Sequence, residues 1–103
     1  MANPTQRQVT EGKQYQGEDE SIVYTVDFAA IGTPTSPTVE VKDGDGEDVK
    51  STVMPTGSPT VATTIVTLPA LTALTAGGKY RVEVQVTIDG NTLEHYFPVI
   101  GQT

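Results

Sequence analysis

The chain contains no cysteine and no tryptophan, and six lysines and arginines stand against thirteen aspartates and glutamates. Without thiols there is no disulfide, no thiolate metal site and no cysteine nucleophile, a composition that fits folding in a reducing cytosol. Long hydrophobic runs are also missing: no stretch approaches the roughly 20 apolar residues of a membrane span. The opening "MANPTQRQVTEGKQYQGEDE" has no apolar segment that would serve as a signal peptide. The shortage of bases leaves a net charge of −7, which repels phosphate backbones and anionic lipids and disfavours nucleic acid and membrane as partners. The plainer role of that charge is solubility. Cytoplasmic synthesis is expected, and the initial Met with the short length points to a complete small reading frame.

At 103 residues the chain has the size of one small domain able to bury a single core. A polar, flexible N-terminal arm is expected over residues 1–12, followed by one domain over 13–103, with a first edge strand near Glu11–Gln16 anchored by Tyr15. "SIVYTVDFA" alternates, with Ile22, Tyr24, Val26 and Phe28 on one face, the pattern of a half-buried strand. "GTPTSP" breaks any regular ladder. "TVEVKDGDGEDVKSTV" suggests two strands, carrying Val39 and Val41, then Val49, Ser51 and Val53, joined by an acidic turn. "TVATTIVTL" is rich in β-branched residues and predicts one strand, with Ile65 and Val66 competing for the buried face. "KYRVEVQVTI" alternates without fault, placing Tyr80, Val82, Val84, Val86 and Ile88 inward. "DGN" signals a tight hairpin. An even loop then puts Leu93, His95, Phe97 and Val99 of "TLEHYFPVI" on the same face, and Pro98 marks an edge strand or one side of a broken pairing. About seven short strands and no helix predict an all-β, antiparallel β-sandwich.

"LTAGGKY" places Leu74, Gly77 and Tyr80 at the spacing of a tyrosine corner, in which a Tyr near the start of the penultimate strand bonds a backbone group in the preceding loop. The ring suits the core, and the hydroxyl needs a partner once buried. The segment is expected to cross from one sheet to the other. This pattern resembles fibronectin type III and bacterial immunoglobulin-like domains over Ser21–Ile100, while the absent Cys and Trp exclude the disulfide-bonded antibody type. "GEDESIVYTVDF", "TVEVKDGDGEDV" and "TLPALTALTAGGKYRVEVQVTIDGNTLEHYF" together resemble small stand-alone virion proteins of tailed bacteriophages and prophages. That resemblance implies a non-enzymatic head-decoration, neck or tail-associated component that ends up in the virion. Its implied partners are other virion proteins or further copies of itself.

Candidate chemistry is sparse. Asp43, Asp45, Glu47 and Asp48 are hard oxygen ligands close together, the only candidates for a metal. Against a helix–loop–helix calcium loop beginning at Asp43 they fail: the sixth position is Asp48 rather than Gly and the twelfth is Met54 rather than Glu. A solvated turn is the better reading, and no cofactor is expected. His95 is the single histidine. Catalysis would require a nucleophile or carboxylate held beside it, and neither Glu94 nor Asp27 is well placed, so it reads as a residue packed at the core's rim. No enzyme is expected. Tyr96 and Ile100 fall on the outer face of the last strand, where exposed apolar groups can seed a protein contact or meet the chain's own N-terminal arm. The rival readings are a generic immunoglobulin-like adhesion or spacer module and a weak calcium- or carbohydrate-binding module.

Overall fold

The computed structural model describes residues 14–103, and residues 6–9 as backbone. Among these, the strands in chain order are β1 (Gln6–Val9), β2 (Gln14–Gly17), β3 (Val23–Asp27), β4 (Thr35–Asp43), β5 (Thr60–Ala62), β6 (Ile65–Thr67), β7 (Lys79–Ile88) and β8 (Asn91–Gln102), with a short helix α1 (Lys50–Val53) after β4. They form two four-stranded sheets, β1-β3-β6-β5 and β2-β8-β7-β4. Their inner faces meet as a β-sandwich. Tyr24, Val26 and Val66 from the first sheet share one core with Val41, Val82, Val84, Phe97 and Val99 from the second. The Tyr24 and Phe97 rings lie 5.3 Å apart between the sheets. Burying each such side chain contributes roughly 1.5–3 kcal/mol, so the alternation is the source of the fold's stability.

The β7–β8 hairpin forms as its sequence dictates. Asp89 and Gly90 both take positive φ, 51° and 81°, the type I′ geometry that matches strand twist. The two-residue loop pairs Ile88 with Asn91 and carries the register back through Val86–Leu93, Val84–His95, Val82–Phe97 and Tyr80–Val99. Pro98 lies where this register changes neighbours. Strand β2 pairs with β8 only from Val99 onward. Gly101 uses its N–H and C=O toward Gly78 and Gly77 of the β7 side, so alternation turns the N–H-less Pro98 nitrogen toward the opposite side, at the limit of the β2 pairing.

The leucine-to-tyrosine segment crosses between the sheets and closes as a tyrosine corner. The Thr75 N–H donates to the Tyr80 hydroxyl at 2.9 Å, Leu74 is buried beneath it, and Gly77 turns the chain at φ 81°. Gly78 N–H donates to Thr75 O at 2.9 Å and Gly77 N–H to Gly101 O at 2.9 Å, fastening the loop to the end of β8. Tyr80→Phe keeps the ring and strands the Thr75 N–H. It is expected to cost on the order of 1–3 kcal/mol, read as a lower urea midpoint at unchanged m-value. An unchanged midpoint would show that the corner bond contributes nothing.

Several elements differ from expectation, each for a local reason. The sandwich is not wholly antiparallel: β1 runs parallel to β3 and β2 parallel to β8. Of the arm expected over 1–12, Gln6–Val9 form β1, and the rest lies outside the described residues. In β2 it is Gln16 that is fully buried, while Tyr15 is half exposed. Ladder bonds resume inside the proline-rich segment, where β4 begins at Thr35 with an irregularity between Thr35 and Thr38. The second strand expected around Val49–Val53 is α1. Val49 and Val53 are four apart, a spacing shared by strand and helix periods; Val53 is buried and Ser51 exposed, and the helical N–H bonds run from Val53 to Val49 O and from Met54 to Lys50 O. "TVATTIVTL" is two strands, β5 and β6, reversing at Thr63–Thr64. Thr63 takes φ 57°, a strained conformation for a β-branched residue, held because Thr64 Oγ1 donates to Asp27 at 2.8 Å and Thr64 O accepts from Phe28 N–H at 2.8 Å. Val66 takes the buried face and Ile65 the exposed one.

Candidate interaction surface

Alternation fixes which side chains leave the core. Along β7 and β8 the residues between the buried valines point outward, and the register stacks them in rows across the second sheet. Lys79 pairs with Ile100, and Ile100 in turn with Tyr15 of β2. Lys42 pairs with Arg81 and Arg81 with Pro98; Glu40 pairs with Glu83 and Glu83 with Tyr96. Tyr15 and Tyr96 are 50% and 54% exposed, with Pro98 and Ile100 half-buried between them. The result is a contiguous apolar strip on an otherwise polar sheet face, a feature that isolated exposed hydrophobics do not produce.

Charge on this face is segregated along the strands. Lys42, Lys79 and Arg81 occupy one half. Glu40, Glu83 and Glu94 occupy the other, around a shallow depression of about 360 Å³ lined also by Thr38 and Gln85. Glu40 and Glu83 sit directly opposite each other, an arrangement that costs stability when unrelieved. Arg81 relieves it: its Nε lies 3.0 Å from Glu83 Oε2, while its guanidinium lies 3.8 Å from the Tyr96 ring centroid. Packing over the ring and pairing with the carboxylate hold this arginine flat against the sheet. The Lys42–Glu40 pair is looser at 3.9 Å.

The structure places Tyr96 and Ile100 on one surface, as the alternation implies, and adds three residues to it. Arg81 and Pro98 join through the β7–β8 register. Tyr15 joins because β2 docks beside β8. The strand bordering β8 here is β2, which lies outside the arm expected over 1–12, and both tyrosines stay half exposed.

The other candidates remain separate from this face. Asp43 Oδ1 accepts from Asp45 N–H at 2.9 Å and from Glu47 N–H at 3.0 Å, and Asp48 Oδ1 accepts from Lys50 N–H at 2.9 Å. Two of the four carboxylates thus hold the turn and the entry to α1 together, the ordinary work of aspartate in such segments. Among the described residues no group of three or more His, Asp or Glu is arranged to hold a metal ion. His95 faces inward, edge-on to Phe28 with ring centroids 6.4 Å apart, and its Nε2 has no hydrogen-bond partner. The Asp27 carboxylate is taken by Ala29 N–H and Thr64 Oγ1, and Glu94 lies on the outer face.

The fold and surface together define a class: an all-β sandwich with an apolar, charge-segregated sheet face. No protein-family model and no curated protein matches the chain.

Proposed function

We propose that this protein is a non-enzymatic structural component of a tailed-phage or prophage virion, acting through protein–protein contacts made by the outer face of β2-β8-β7-β4. The observation that carries the reading is the strip Tyr15–Ile100–Pro98–Tyr96, half exposed on a sheet whose other side packs into the core. A rigid face of this kind binds by contour, with aromatic and arginine anchors of the sort that dominate protein interfaces. The strand order supports the immunoglobulin-like part of the proposal. With β1, β3, β6 and β5 standing for strands A, B, E and D, and β4, β7 and β8 for C, F and G, the spatial order follows the constant-type plan with β2 added beside G, while β1 departs from it by running parallel to β3. A sandwich of this plan hosts unrelated functions, so the virion assignment rests on the resemblance of the sequence segments and on this face. The test is mass spectrometry of particles purified from an induced culture of the bacterium that carries the gene. The protein is expected in the particles at the level of a structural component. Its confinement to the soluble cell fraction while particles form without it would overturn the proposal.

A further inference from the structure

The distribution of charge identifies the occupant of this face. The whole chain carries −7, so most of its surface repels a second copy. The outer face of β2-β8-β7-β4 carries charges of both signs in balance: Lys42, Lys79 and Arg81 against Glu40, Glu83 and Glu94. It is also dipolar, with the cations toward one end of the strands and the carboxylates toward the other. A face that is neutral, apolar at one margin and split in sign along its length complements itself when one copy is turned end for end.

We infer that this face joins two copies of the chain in an isologous dimer, its two-fold axis lying in the interface and across the strands. Such an axis sets β7 of one copy antiparallel over β7 of the other. Arg81 then faces the second copy's Glu83, Lys42 faces its Glu40, and Tyr96 packs on its Pro98. The alternative in-plane axis, along the strands, sets like charges over like and is disfavoured. Each of these three pairs occurs twice, as a two-fold interface requires. Three strands about 30 Å long and the four-residue β2, about 13 Å long, set about 4.8 Å apart, make a face of roughly 500 Å² in plan, below the ~800 Å² that each partner buries in a standard interface and in the range of a weak dimer. Sheets packed face to face accommodate this geometry with a crossing of about 30°. The inference rests on the proposed function in that it assigns a partner to the same surface, and it is tested on purified protein alone.

The experiment is light scattering after size exclusion at about 100 µM, above the µM dissociation constants of the weakest standard interfaces. The mass expected is twice the 10.9 kDa of the chain. Arg81→Glu makes the central pair all acidic and Glu83→Arg makes it all basic, so each variant alone is expected to dissociate at least tenfold more readily. Mixed in equal amounts, the two are expected to form a heterodimer as tight as the wild type, because every opposed pair is again of opposite sign. Tyr96→Ser, at a half-exposed position, is expected to weaken the dimer while leaving the chain folded, read as an unchanged circular-dichroism spectrum, with the melting temperature falling only by what the lost association contributes. A wild-type chain that stays at 10.9 kDa, or single variants that remain dimeric, would overturn the inference. A monomer found in virions removes only the dimer, and a dimer absent from virions removes only the virion assignment.

Discussion

Gln16→Leu is expected to lower stability by about 3 kcal/mol, although it places an apolar side chain of similar size in a fully buried position. Gln16 is 0% exposed, and its amide is used on every side. Nε2 donates to Leu71 O at 2.7 Å and to Glu20 O at 3.0 Å, and Oε1 accepts from the Tyr24 hydroxyl at 3.0 Å. These bonds tie β2 of one sheet to β3 of the other and to the segment after β6. Leucine offers none of them, and each buried hydrogen bond lost costs about 1 kcal/mol. Against the 5–15 kcal/mol that a small domain has in total, that is a large share, and a fall in melting temperature of roughly 15 °C is expected. Calorimetry checks it. A Gln16→Leu variant that melts with the wild type would mean that the amide network is replaceable by packing.

Gly101→Ala should be at least as damaging, at about 3 kcal/mol, and for the opposite reason: it adds an atom where there is no room. A Cβ at this position overlaps the backbone carbonyl oxygen of Thr75 and comes within 3.5 Å of the Leu74 Cβ. Thr75 cannot retreat easily. Its N–H is bonded to Tyr80 and its carbonyl accepts from Gly78, so the alanine must either break the corner or lift the end of β8, which also carries the β2 pairing. Gly44→Ala is the control. There the added Cβ meets only ordinary contacts at 3.8 Å, and a change within about 0.5 kcal/mol is expected. Chemical denaturation of the two variants side by side separates a crowded glycine from an unconstrained one, and equal midpoints would refute the steric account.

The parts of the fold legible in the sequence are those whose causes are local. Lys79–Ile88 alternates over ten residues, and no helix could bury such a pattern. Asp89–Gly90 supplies the backbone freedom of a two-residue turn. Tyr80 announces a corner because a buried hydroxyl must find a partner nearby. The misreadings occur where a local pattern admits two solutions. Val49 and Val53 satisfy a helix as well as a strand. "TVATTIVTL" contains no Gly, Pro or Asn to mark its reversal, since the strain at Thr63 is held by Asp27 and Phe28 from a different part of the sheet. The interaction surface was half legible: parity alone put Tyr96 and Ile100 outside, but Tyr15 was expected as a core anchor. With its neighbour Gln16 the more polar of the two, nothing in "KQYQG" says that the amide goes in.

By itself, the sequence determined that the molecule is all β, which residues of its longest strands are buried, where the main hairpin turns and where the tyrosine corner forms. Those outcomes follow from side-chain period and turn chemistry over a few residues. Only the tertiary structure decided that β2 lies parallel to β8, that Gln16 is the buried member of that strand, and that Tyr15, Ile100, Pro98, Tyr96 and Arg81 share one face. The reason is distance along the chain. Gln16 is satisfied by a carbonyl 55 residues away, and Tyr15 gains its neighbours from a strand at the far end of the sequence, so neither choice has a local free-energy difference for the sequence pattern to record.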